Sequence, residues 1–155
     1  MYEELPEQIR DLAELHGLVE ERVGFILFTI LAFSPDRRRM TRIHSSRPQE
    51  YPVGGTKDLG MDVSPAWLEV CVNRQQLYYG PSKADLRAVF TDFEEIDRLG
   101  CGSVLNVPVI AGGQSIGALN ILGPENAYTD SDLRDAGRIA ARSDRVVAAA
   151  IKELS

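Results

Sequence analysis

Cysteine and histidine are scarce in this chain, with two of each among 155 residues. The four positions, His16, His44, Cys71 and Cys101, make no CxxC, HExxH or HxxxH pair. A zinc site or a metallopeptidase helix is therefore not supported, and no metal or other cofactor is expected. Two cysteines do not build a disulfide framework, so the expected compartment is a reducing cytoplasm. Basic excess is also missing: 17 Lys and Arg stand against 23 Asp and Glu, a net charge of −6. Nucleic-acid surfaces carry a positive patch, so no nucleic-acid partner is expected. The single basic run, Arg37-Arg38-Arg39, follows Ser-Pro-Asp and reads as a solvated hairpin tip in preference to an anion or partner contact. No apolar run reaches the roughly 20 residues of a membrane helix. The acidic N-terminus lacks the basic start and apolar middle of a signal peptide, and repeats and low-complexity segments are absent. With 44% hydrophobic and 26% charged residues, the chain suits one domain spanning 1–155 around a single core.

Hydrophobic spacing divides that domain into elements. Leu5, Ile9, Leu12, Val19 and Val23 step by four and three, with His16 in the missing step. This predicts an amphipathic first helix with a narrow seam. The run GFILFTILAF (24–33) is apolar on both faces and rich in β-branched and aromatic residues, which predicts a central strand. MTRIHSS (40–46) returns as a second strand. The stretch 47–63, with its prolines and glycines, predicts a loop with a short extended piece near 51–53. Ser64 and Pro65 predict a capped helix running to about Val72. A short strand at QLYYGP and two short helices follow, the second capped by Asp92 and ended by Gly100. SVLNVPVI, the turn AGGQ and SIGALNIL predict a hairpin. Asp130 or Ser131 then caps one long terminal helix. The order predicts an α+β domain. Its terminal helices cover one face of an antiparallel sheet. The middle helices and the 47–63 loop cover the other, enclosing a ligand cavity.

This layout and the segment GSVLNVPVIAGGQSIGALNILGPENAYTDSDLRDAGRIA together resemble the GAF domain family. Its last hairpin ends an apolar run in V-P, turns at glycine, and resumes as I-G-x-L before an acid-capped helix. The resemblance covers Leu5 to Leu154. It implies a PAS-like fold and, most often, a sensor that binds a small molecule or dimerises. Such domains are usually fused to an effector. If the chain is complete, it acts alone, as a homodimer through its terminal helices, or through a separate effector protein.

More specific members of the family fit less well. Free methionine-(R)-sulfoxide reductases, which are standalone GAF proteins, use a reactive thiol and acidic groups. In that comparison Ser103 matches, but Val104 stands at the family's glutamate, Asn120 at its aspartate, and Cys101 lies too near the V-P. Cyclic-nucleotide members share an N-K-x-F-x-D-E constellation, of which FTDFEE (90–95) keeps only the aromatic and acidic part. Bilin-binding members carry a Cys-His and a D-I-P segment, both missing here.

Cys101, between Gly100 and Gly102, has two readings. It is a small residue at a crowded strand entry, or a pocket thiol activated by neighbouring charge. The first is preferred, and Cys71 reads as core. Asn106 and Asn120 are more informative, because the AGGQ turn brings two amides from apolar strands side by side. Buried amides need partners, from loop backbone or from a polar ligand. His44, Tyr51 and Trp67 reach the same expected cavity. The candidate ligand-binding residues are thus His44, Tyr51, Trp67, Cys101, Ser103, Asn106 and Asn120. The expected function is a sensory, small-molecule-binding domain. The first alternative is a thiol redox enzyme or sensor using Cys101, and the second is a ligand-free interaction module.

Overall fold

A computed structural model describes residues 4–154. Six strands form one antiparallel sheet in the order β3-β2-β1-β6-β5-β4. They are β1 (Leu27–Phe33), β2 (Arg39–Ser45), β3 (Thr56–Asp58), β4 (Tyr78–Gly80), β5 (Ser103–Ala111) and β6 (Gln114–Gly123). The helices are α1 (Leu12–Arg22), α2 (Pro65–Trp67), α3 (Lys83–Val89), α4 (Phe93–Arg98), α5 (Asp130–Ala141) and α6 (Asp144–Glu153), with a π-helical turn at Leu68–Asn73. Strand β1 is buried at every position, as its two-faced apolar sequence requires.

Alternation along the strands divides the core into two layers. On one face Phe28, Ile30, Leu105, Val107 and Leu119 pack with Leu15 and Val19 of α1 and with residues of α5 and α6. On the other, Leu27, Leu31, Val104 and Leu122 pack beneath Tyr51, Leu59, Trp67, Leu86 and Ile96. The terminal helices and the loop-rich cover therefore lie on opposite faces, as the sequence predicts.

Several boundaries differ from expectation. Helix α1 begins at Leu12, not near Leu5, because the Asp11 carboxylate accepts the Glu14 amide and starts the helix there. Ile9 is still buried, its amide donating to the Arg142 carbonyl at 3.0 Å. The extended piece of the 47–63 loop is β3 at 56–58, where the chain pairs with β2. The Ser64-capped helix widens into the π-turn, whose register is seen in Arg74 N–H donating to the Glu69 carbonyl. The Ser115 hydroxyl donates to the Cys71 and Val72 carbonyls in that turn. The single terminal helix is in fact two, and α5 is capped by Thr129. Its interruption lies at Ser143, a buried residue whose hydroxyl donates to the Ile139 carbonyl at 2.6 Å and competes with the helical ladder.

A bulge between β1 and β2 decides which side chains face the cover. Ile30 opposes His44 and Leu31 opposes Arg42, so Ile43 is an extra residue. Regular alternation would put Arg42 and His44 on one face. The bulge sends Arg42 toward the loop-rich cover and His44 toward α1. There His44 Nε2 lies 2.9 Å from His16 Nδ1, with both rings against Phe28. Glu20 Oε2 is 4.0 Å from the other His16 nitrogen.

The bond needs one N–H and one bare nitrogen, so it is lost when both facing nitrogens carry a proton, as they do once both rings are charged. Burial first, and the His16 charge second, lower the His44 pKa from 6.5. The unfolded chain therefore takes up this proton at a higher pH than the folded chain does. Stability from this site is present above pH 6.5 and is lost as pH falls through the lowered folded pKa. We expect urea unfolding to show lower stability at about pH 5 than at about pH 8, with a smaller difference in His44→Gln.

Candidate functional site

The cover-facing side of the sheet carries three polar residues in one row. Thr29 of β1 opposes Asn120 of β6, which opposes Asn106 of β5. The Trp67 indole N–H donates to Asn106 Oδ1 at 2.9 Å. Asn106 Nδ2 donates to Asn120 Oδ1 at 2.7 Å, and Asn120 Nδ2 donates to Thr29 Oγ1 at 3.0 Å. An indole nitrogen only donates, so it fixes the orientation of the first amide and, through it, of the second. The row therefore runs in one direction and leaves the Thr29 hydroxyl proton to be donated onward. Among the described residues no hydrogen-bond acceptor is placed for it.

Thr29 and Asn120 form the polar floor of a small cavity. Leu27, Leu31, Leu122, Phe90 and Ile96 make its apolar walls, and Arg42, Tyr51, Lys57 and Asp92 its polar rim. Its volume is about 20 Å³, room for one water-sized group. Lys57 Nζ meets Asp92 Oδ1 at 3.0 Å and lies over the Phe90 ring. Asp92 sits at the N-cap position of α4, but its side chain makes no capping bond there. The carboxylate predicted to cap a helix is used on Lys57 instead.

Arg42 stacks its guanidinium 5.0 Å from the Tyr51 ring centroid and donates through Nη1 to the Pro52 carbonyl at 3.0 Å. Two buried polar atoms at this cavity have no hydrogen-bond partner, Tyr51 Oη and Arg42 Nε. Tyr51 is 5% exposed. Burial, reinforced by the charges of Asp92 and Glu95, pushes its hydroxyl well above the ordinary tyrosine range. Burial also lowers the Arg42 pKa, but a guanidinium keeps its proton in proteins. An unsatisfied buried hydroxyl or N–H costs about 1–3 kcal/mol, and this cavity has two such groups.

The predicted site residues divide accordingly. Tyr51 and Asn120 line the cavity, while Asn106 and Trp67 stand behind it as the start of the hydrogen-bond row. Ser103 is elsewhere, its hydroxyl donating to the Pro124 carbonyl at 2.8 Å and tying β5 to the loop after β6. His44 is corrected to the opposite face, for the reason the bulge gives. Cys101 is fully buried, and desolvation pushes its thiol up to about 11 despite the nearby Arg47 charge. It is a neutral thiol at physiological pH. Gly102 beside it is needed because a Cβ there would lie 2.8 Å from the Glu125 backbone nitrogen. Thr29, Arg42, Lys57 and Asp92 escaped the sequence reading. Only Thr29 left a signal, as the one polar residue inside an apolar strand.

No model of a known protein family matches the chain, and no curated protein does either. Solved structures do. A GAF domain/HD domain protein from Geobacter sulfurreducens superposes with a TM-score of 0.72 at 14% identity, over 91% of this chain and 92% of that one. The GAF domain of a sensor histidine kinase from Bacillus halodurans gives 0.69 at 14% identity, over 95% and 100%. The chromophore-binding domain of a bacteriophytochrome from R. palustris gives 0.66 at 9% identity, over 92% and 55%. The chain adopts the GAF fold. Within that fold the cavity lies between the sheet and the 47–63 cover, and the terminal helices lie behind the sheet.

Two results are expected from this geometry. Trp67→Phe keeps the ring against Phe33 but strands Asn106 Oδ1, and is expected to cost about 1–3 kcal/mol in urea unfolding. Thiol labelling of Cys101 is expected to be slow at neutral pH in the native state and to accelerate when urea opens the fold.

Proposed function

We propose that this GAF-fold chain is a sensory domain that binds a small molecule in the cavity between the sheet and the 47–63 cover. The observation that carries the reading is the pair of unpartnered buried atoms at that cavity, Tyr51 Oη and Arg42 Nε. The residues around them combine apolar walls with a few convergent polar groups, which is how small-molecule sites are built. The cavity of about 20 Å³ admits a ligand only if the rim moves. The rim is made of Arg42 of β2, Tyr51 of the loop, Lys57 of the edge strand β3 and Asp92 at the start of α4. Binding is therefore coupled to displacement of the cover, which is what a sensor requires. As part of the same proposal, the signal leaves through a homodimer formed by the terminal helices or through a separate effector protein. The cytoplasm is the proposed compartment. A redox role for Cys101 has less support, since a buried, neutral thiol is a poor nucleophile. A ligand-free interaction module leaves the two unpaired atoms without a purpose.

The test is Tyr51→Phe, with native mass spectrometry of the purified protein as its companion. Removing an unsatisfied hydroxyl is expected to leave the free protein as stable or more stable, by up to about 1 kcal/mol. The same change is expected to weaken retention of any co-purified small molecule. A Tyr51→Phe protein that is clearly less stable, with no ligand effect, means that the hydroxyl is structural and defeats the reading.

A further inference from the structure

Resting on that reading, we infer that the ligand of this cavity carries a carboxylate, held by the Nε edge of Arg42 and the hydroxyls of Tyr51 and Thr29. The direction of the polar row is the first reason. Because Trp67 N–H starts it, Asn106 Oδ1, Asn120 Oδ1 and Thr29 Oγ1 are all used as acceptors. The floor has two hydrogens left to donate, the Thr29 hydroxyl proton and the second N–H of Asn120, while each oxygen of the row already accepts one bond and keeps one lone pair.

The rim repeats this polarity. Arg42 Nε–H is a donor without a partner, and Tyr51 Oη–H is a second. The one carboxylate at the rim, Asp92, is held by Lys57 at 3.0 Å. An amine or other cation entering here meets a guanidinium and finds the lining carboxylate already engaged by Lys57, with the charge of Glu95 reaching Arg42 and Tyr51 as the opposing influence. An acceptor-bearing anion meets a matched set.

Charge is the second reason. Among the described residues Arg42 forms no ion pair, although burial disfavours its charge. Its Nη1 is used on the Pro52 carbonyl, which leaves the Nε side of the guanidinium, an edge that pairs side-on with a planar carboxylate. Burying a carboxylate is costly unless it is paired and hydrogen-bonded, and this site supplies both. The adjacent Leu27, Leu31 and Leu122 walls favour an apolar tail on the remainder of the molecule.

The experiment titrates the isotope-labelled protein with acetate, propionate and butyrate, against the matching primary amines, primary amides and sodium chloride. The readout is the side-chain NH₂ signals of Asn120 and Asn106, together with thermal shift. Carboxylates are expected to move the Asn120 signal saturably and to raise the melting temperature, while amines and chloride do neither. Arg42→Gln is expected to weaken that binding about tenfold or more. Arg42→Lys, which keeps the charge without the planar fork, is expected to recover it only in part. Amides or amines binding as well as carboxylates, an equal response to chloride, or an unchanged affinity in a folded Arg42→Gln would overturn the carboxylate assignment. Amide or amine binding, or an unchanged affinity in a folded Arg42→Gln, still leaves the cavity a binding site, whereas an equal response to chloride is a salt effect and counts against both. No response at Asn120 to any probe, with nothing co-purified, overturns the assignment and the binding function together.

Discussion

The orientation of the polar interior depends on one hydrogen bond, from the Trp67 indole to Asn106. Neutral amides are ambivalent, since each end donates or accepts by a flip, and a pair of them inside a sheet has no preferred direction by itself. An indole N–H has no such freedom. Placing it at one end turns two amides and a threonine into a polarised chain that crosses three strands and ends at the cavity floor. The fold supplies the placement. Ser64 and Pro65 start the helix that carries Trp67, the π-turn closes it, and Ser115 holds the carbonyls which that wider turn frees. The indole is fully buried and edge-on to Phe33, which leaves it little choice of rotamer. Local helix chemistry on the cover thus sets the hydrogen-bond polarity on the sheet.

The architecture was largely legible in the sequence, because it follows from periodicity and punctuation. The two-faced run of β1, the glycine turn of the last hairpin and the Ser-Pro helix start each have a single sensible structural outcome. The Asn106–Asn120 juxtaposition was legible only as two amides on neighbouring strands, because a bulge sets their register. Ile110 opposes Ser115 but Val109 opposes Gly117, and the extra residue Ile116 brings Asn120, in place of Leu119, opposite Asn106. The failures have physical causes of another kind. The start of α1 and the break before α6 are decided by single side chains, Asp11 and Ser143, competing for backbone groups. The site was only half legible. Tyr51 and Trp67 are large enough to be guessed as cover. Arg42, Lys57 and Asp92 look like ordinary surface charges until non-local packing brings them together. His44 was misplaced because one extra residue at Ile43 reverses the facing of everything beyond it, and nothing in the composition of MTRIHSS marks a bulge.

That bulge also gives the domain its most economical route between its two faces. Arg42 sits at the cavity rim and His44 bonds to α1, with only Ile43 between them. Elsewhere the sheet separates the two packed layers. Around the bulge, the backbone of one strand takes part in both layers within three residues. It is also locally irregular, so part of its ladder is not held by regular pairing. The Arg42 amide is bonded to the Gly55 carbonyl, and its carbonyl to the Gly54 amide. The strand at this point is therefore fastened to the same loop that covers the cavity. Movement of the 47–55 segment pulls on Arg42 by its main chain as well as its side chain. The nearest structure on the far face is the His16–His44 bond that helps hold α1. A cavity too small for most ligands in its closed form, a cover tied to a bulged strand, and a terminal helix anchored two residues further on make one mechanical series. On the proposed sensory reading, the terminal helix is the part of that series placed to report the state of the cavity.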